Sequence, residues 1–452
     1  MRARLRAAAV VAAALAGCGG ATGTFSLELV TAPGSTVLAD ITLARLTLSV
    51  PYRQVEAPRD PDGTFHLSRE VPAEGPTGQV TFEGFDDGGD LVAWGRSGFL
   101  PIAAVDASVA IYVAPPLTLG AAQTSLDPPR TDIGVARFNF GVLLVGGADA
   151  SGAPTDQVEL YDVYEHELLP GEDAPGARAG AVVGAGASGY AYVFGGRGPA
   201  GTTGTFWRFD TTVTPAGQWL PVEEDPVLAR TGAAIAPART EVFVVTGTPP
   251  LVLDGLSLSV SPLTNSPPLA GTATALLLGN TLYDVVVGEG TGTTGIVTIG
   301  PEGVEEHGGA PSALRTGHGA AGAPGPKVVV LGGAVAGVPT SAAVVARPAT
   351  SVVVEIDGVL ATPRTGAAVA GNGVVAIVAG GRDASGALLG DCEVIDLESL
   401  GHVATIPMVV PRTGAIAATL ASGQILVLGG VDDAGAPVGT IEVFNPPAPA
   451  QP

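Results

Sequence analysis

The chain has 452 residues, 46% of them hydrophobic and 14% charged, with a formal net charge of −22 and a mean hydropathy of +0.40. That much apolar material excludes a disordered chain, and 21 basic against 43 acidic residues argue against a nucleic-acid partner, which would need clustered positive charge. Glycine (66) and proline (38) together make 23% of the sequence, so the chain folds but turns often.

Residues 1–17 read as an export signal. Arg2, Arg4 and Arg6 form a positive start, and Ala7 to Leu15 form an apolar run too short to cross a bilayer as a helix. The following Leu15-Ala16-Gly17-Cys18 resembles the lipobox of bacterial lipoproteins, which implies that Cys18 is acylated and becomes the first mature residue. Cleavage there removes three arginines and takes the net charge to −25. Residues 18–23 are small and suit a tether. Because Gly19 rather than Asp follows the cysteine, a lipid anchor in the outer membrane of the cell envelope is expected. With Cys18 lipidated, only Cys392 remains, so no intrachain disulfide is expected. Cys392 lies in an alternating strand pattern, where a free cysteine behaves as a small buried hydrophobe.

Between residues 24 and 115, segments such as Phe25 to Val30, Ala44 to Val50, Gly78 to Gly84, Asp90 to Gly95 and Ser108 to Val113 predict strands separated by Gly, Pro and Asp turns. About seven strands in this length predict a small immunoglobulin-like β-sandwich.

The rest of the chain repeats. Gly146 to Asp162, Gly380 to Asp396 and Gly429 to Asn445 align without a gap, each preceded by an apolar run and, further upstream, by an Arg-Thr start. Arg130, Arg178, Arg230, Arg315, Arg364 and Arg412 lead six copies, and a seventh begins near Gly271 without the arginine. The seven starts are 41 to 52 residues apart. Each period predicts three or four short strands: a small-residue strand, a β-branched strand ending in Gly-Gly, a turn of the type Asp-x-x-Gly, a Val-Glu-Leu-Tyr-Asp strand, and a fourth, outer strand clearest at Gly217 to Val222. Radial repetition of such units predicts a β-propeller.

A strand ending in Gly-Gly, a turn, a Val-Glu-x-Tyr-Asp strand and the tryptophan Trp219 resemble kelch repeats over about residues 117 to 446. The resemblance implies a kelch-like propeller across 116–446, with seven blades, or six as the alternative, and residues 447–452 as a disordered tail. Because Pro446 onward cannot supply a last strand, the strand closing the final repeat is expected from within Pro116 to Ala122.

Candidate chemistry is sparse. Two G-x-G-x-x-G spellings, Gly184 to Gly189 and Gly290 to Gly295, open no helix and so carry no dinucleotide reading. Aspartates at 60–63, 86–90 and 432–433 lack the spacing of a calcium loop and read as turn chemistry. The five histidines, His66, His166, His307, His318 and His402, form no metal-ligand pair, so neither metal nor cofactor is expected. Kelch-like propellers include a copper-radical oxidase with a cysteine cross-link, but Cys392 lies in a third-strand pattern and that activity is not expected.

The repeated arginines admit two readings. The kelch resemblance starts the axial strand at this position, so the six guanidiniums would ring one channel mouth and bind carboxylates. Alternatively, each pairs with acidic groups of its own or the next repeat, as a residue repeated with the architecture suggests. The expected function is a monomeric, non-enzymatic envelope lipoprotein whose propeller binds an envelope protein or an acidic glycan. An enzyme acting on carbohydrate at the channel mouth is the alternative; it requires convergence of groups such as Glu223-Glu224-Asp225 or Glu305-Glu306-His307 there.

Overall fold

The computed structural model describes residues 11–13, 25–50, 52–61, 65, 77–101, 107–214, 216–222, 224–239, 241–263, 271–278, 281–288, 296–300, 303–307, 315–325 and 327–449. The protein is all-β, with one α-helical turn, Val37–Asp40, and two 3-10 turns among these residues.

Two layers make the N-terminal unit. One is an antiparallel sheet in the spatial order Tyr52–Pro58, Leu43–Ser49, Val80–Phe85, Leu91–Arg96. In the other, Phe25–Val30 runs parallel to Ala107–Tyr112, with Val11–Ala13 paired antiparallel to Phe25, Ser26 and Leu27. Leu27, Leu29, Val109 and Ile111 of the second layer share a core with Ala44, Val80, Phe82 and Ala93 of the first. Glycine is required at the crossing of the layers, because a Cβ on Gly95 would stand 2.2 Å from the Tyr112 carbonyl oxygen. Sequence pattern does not pick out Tyr52–Pro58. It is largely exposed and carries little of the apolar alternation that marks a strand.

Among the described residues, seven antiparallel sheets of four or five strands follow, spanning 134–170, 182–221, 235–262, 271–307, 316–356, 368–407 and 416–445, the last completed by a strand from upstream. The fifth has a short extra strand, Val338–Pro339. In the seventh the outermost strand is Thr118–Ser125, hydrogen-bonded to Thr440–Asn445. The strand expected from Pro116 to Ala122 is thus two to three residues further along.

First strands of consecutive sheets lie against one another from the first sheet to the seventh. Second strands such as Gly141–Val145, Val375–Ala379 and Ile425–Leu428 are buried along their whole length. Their unbroken apolar runs follow from this, since each faces a neighbouring sheet on both sides. Val142 and Leu144 pack with Leu426, Leu428 and Ile441 of the seventh sheet, whereas Leu143 and Val145 pack with Ala181 and Val193 of the second. The seventh sheet therefore shares a core with the first.

Candidate functional site

Five of the six repeated arginines are buried to 3% exposure or less, and Arg230 is half-buried. Their guanidiniums turn into their own sheets. Arg412 donates from Nη1 to the carbonyls of Gly429 and Thr440 and from Nη2 to Glu442 Oε1 at 2.5 Å. Arg364 repeats this with Gly380 and Asp391 carbonyls and Glu393 Oε1 at 2.6 Å, and Arg130 with the Gly146 carbonyl and Glu159 Oε2. The two fully buried glutamates also accept from the backbone that leads into the arginine: Glu393 from Ala361 and Thr362 N–H, Glu442 from Val409 and Val410 N–H. Each carboxylate is thereby saturated by donors, the condition under which a buried ion pair is tolerated. Burial pulls the Arg412 pKa down from its ordinary value while Glu442 opposes the shift.

Where the third-strand glutamate is missing, the clasp is rebuilt differently. Trp207 occupies the position of Glu159 in the second sheet, and the Arg178 guanidinium lies 3.9 Å from its ring centroid while bonding Gly195 and Thr205 carbonyls and the Thr205 hydroxyl. In the fifth sheet Val344 stands there, and Glu355 on the adjacent strand brings its carboxylate within 4.0 Å of Arg315. The third sheet has Val252, and among the described residues Arg230 is held by the carbonyls of Val227, Thr246 and Pro249. Of the two readings of the repeated arginines, these contacts favour the structural one: among the described residues the guanidiniums are engaged within their own sheets.

Glycines of the same motifs join sheet to sheet. The third residue of each Arg-led start has a positive φ, namely Asp132, Gly180, Gly232, Gly317, Gly366 and Gly414. Gly180 N–H donates to the Asp132 carbonyl, Gly366 to Gly317 and Gly414 to Gly366, a chain of backbone bonds from one repeat to the next. The Gly-Gly pair makes a second joint, with Gly147, Gly333 and Gly381 N–H donating to the carbonyls of Arg178, Arg364 and Arg412 in the following repeat. A Cβ on Gly380 would stand 2.2 Å from the Arg412 oxygen, so no larger residue fits.

A cavity of about 880 Å³ runs between the first strands. Alanine, glycine and valine dominate its described lining, and Arg137 and His318 are the titratable side chains there. Arg137 is open to solvent yet surrounded by protein, which lowers its pKa from the ordinary value by desolvation. His318 shares a hydrogen bond of 3.0 Å with the Arg315 carbonyl through Nδ1.

The N-terminal unit is bolted to the first and seventh sheets by buried polar groups. Asn445 Nδ2 donates to the Trp94 and Ala114 carbonyls, Trp94 Nε1 to the Pro446 carbonyl, and Gln424 Nε2 to the Tyr112 carbonyl. His166 Nε2 accepts from the Tyr112 N–H at 3.1 Å, which places the proton of the neutral ring on Nδ1, facing the Tyr161 hydroxyl at 3.2 Å. Burial holds His166 down to a pKa of about 4.

The remaining sequence candidates are dispersed. Glu224 and Asp225 lie between the second and third sheets, where Asp225 caps the 3-10 turn Pro226–Leu228. Glu305, Glu306 and His307 lie on Gly303–His307, the fourth and outermost strand of the fourth sheet. Glu224 and Asp225 are not in the described lining of the cavity, and Gly303–His307 is the strand of its sheet farthest from the first strands that line it. Asp86, Asp149, Asp383 and Asp432 each accept N–H groups two and four residues on, the turn role expected of them. Gly184 belongs to Val182–Ala185 and the next residues form a turn, not a helix. Cys392 is fully buried in the core between the sixth and seventh sheets, which pushes its thiol pKa up. Cys18, His66, Glu223 and Gly290 to Gly295 lie outside the described residues. Among the described residues no cluster of three or more His, Cys, Asp and Glu is placed to hold a metal, and no helix is long and apolar enough to cross a membrane. Compared with protein-family models and with curated proteins, the chain matches none.

Proposed function

We propose that the seven sheets are blades of a closed kelch-like propeller, carried by a lipid-anchored envelope protein that acts as a non-enzymatic scaffold for binding a protein or glycan. The observation that carries this reading is the internal commitment of the repeated motif. Its arginines and glutamates brace each blade and its glycines join one blade to the next, which leaves the loops at the two faces as the parts free to recognise a partner. Closure is supported by the shared core of the first and seventh sheets, and by Gly429, whose Cβ position faces the Arg130 carbonyl as that of Gly380 faces Arg412. It is supported further by the Thr118–Ser125 strand, which ties the two ends of the repeat region into one sheet and leaves fewer edges exposed. The N-terminal two-layer unit then serves as a spacer between anchor and propeller, and the anchor is Cys18 in Leu15-Ala16-Gly17-Cys18.

Metabolic labelling with a fatty-acid analogue tests the anchor: the wild-type chain takes up label and partitions with membranes, whereas Cys18→Ser does neither. Lipid-free protein, residues 19–452, displayed to a glycan array and to envelope extracts tests the scaffold. Saturable binding that survives loss of the anchor is the expected result, and turnover of a bound glycan would contradict the non-enzymatic reading.

A further inference from the structure

Arg137 breaks the repeat. It stands near the end of the first strand of the first sheet, opposite Val142, and the register puts Ala185, Gly322, Gly371 and Thr419 at the same level in the second, fifth, sixth and seventh sheets. In the third sheet a bulge brings Arg239 opposite Val242, the same backbone position. A residue that recurs with the period serves the architecture, as the six clasping arginines do. An arginine recurs at this position only at Arg239, not with the period, and Arg137 has no hydrogen-bond or ion-pair partner among the described residues. Arg137 is exposed to the cavity rather than buried, so its guanidinium stands there available to an anion.

Around Arg137 the cavity is built for a guest. Its walls at this level are Ala185, Gly371 and Thr419, which leave room, and Phe138 beside the arginine adds an apolar surface. We propose that the cavity between the first strands binds a small organic carboxylate, with the Arg137 guanidinium pairing with the carboxylate and the small-residue walls enclosing an apolar body. Guanidinium and carboxylate match in a two-bond fork, which is stronger where water is partly excluded. The amide of the same shape offers one oxygen and no charge, so the site discriminates by charge rather than by size.

Titration calorimetry of the protein with benzoate and hexanoate, and with benzamide and hexanamide as neutral counterparts, tests this. Carboxylates are expected to bind with one-site stoichiometry and at least tenfold more tightly than the matching amides. Arg137→Gln should lose that preference, a tenfold change being about 1.4 kcal/mol, while Arg137→Lys keeps part of it and an exposed control, Arg53→Gln, keeps all of it. Thermal unfolding of each variant guards against misfolding, and Arg137→Lys keeps the test open if Arg137→Gln does not fold. Absence of binding by both carboxylates, equal affinity for acids and amides, or undiminished binding by Arg137→Gln would each overturn the proposal. The readout uses purified protein and needs neither lipidation nor a face partner, so its failure is distinguishable from failure of the scaffold reading.

Discussion

The sixth and seventh sheets and the third sheet solve the same problem with different means. In the former, Arg364 and Arg412 are fully buried against Glu393 and Glu442, which also bind two backbone N–H groups each. In the latter, Arg230 has three carbonyls, no carboxylate among the described residues, and is half-exposed. The Gly-Gly pair differs in parallel, Gly380-Gly381 and Gly429-Gly430 against Thr246-Gly247. In the sixth and seventh sheets the buried guanidinium thus comes with a saturated carboxylate, whereas in the third the guanidinium, without one among the described residues, stays nearer to solvent, in line with the desolvation cost of a charge. Arg178, over Trp207, is the intermediate case in which an aromatic face takes the place of the acid.

The largest effect expected from this contrast is at Glu442. Its replacement by Ala strands a buried guanidinium and two N–H groups, and should cost about 3–5 kcal/mol in denaturant unfolding. Acid comes next. His166 has its pKa depressed to about 4 against an ordinary value of 6.5, so the unfolded chain binds the extra proton between those limits. Stability from this group is complete above about pH 6.5 and falls as the pH drops toward 4, by at most about 1.4 kcal/mol per pH unit. His166→Gln should flatten that limb of a stability-against-pH curve, and an unchanged limb would deny the joint its role. At Gly380 a change to Ala forces a left-handed alanine against the Arg412 oxygen; the expected loss is about 1–3 kcal/mol, greater than for Gly386→Ala at an exposed turn with open space around it. Smallest is Arg230→Gln, which removes bonds to carbonyls that water can partly replace, at about 1 kcal/mol. Equal losses at Arg230 and Glu442 would erase the contrast.

Much of this architecture is legible in the amino-acid sequence. The period near 47 residues depends on Gly-Gly and Arg-Thr-Gly, and both are points where one sheet touches the next, so their recurrence has a steric cause. The acidic partner is legible as well, since Glu159, Glu393 and Glu442 follow their arginines at 29, 29 and 30 residues. That the arginines face inward is not legible, because spacing along a chain does not say which way a guanidinium turns. Trp207 and Glu355 stand in for the missing acids through cross-strand geometry, which a linear alignment of the copies does not contain. Arg137 is hidden for the opposite reason: it is a lone arginine in a period that already has one, and only the register puts it beside glycines and alanines. The joint at His166 is equally silent, since Tyr112 and His166 are 54 residues apart and meet only when the N-terminal unit docks.

The account rests on the repeated arginines being clasps rather than ligand groups. A double-mutant cycle on Arg412→Met and Glu442→Leu, read by urea unfolding, tests it most directly. Strong coupling is predicted: each single change is costly, and the double variant is more stable than the sum of the two losses implies by about 2 kcal/mol or more, because the pair vanishes together. Additive losses, with coupling below about 0.5 kcal/mol, would contradict it.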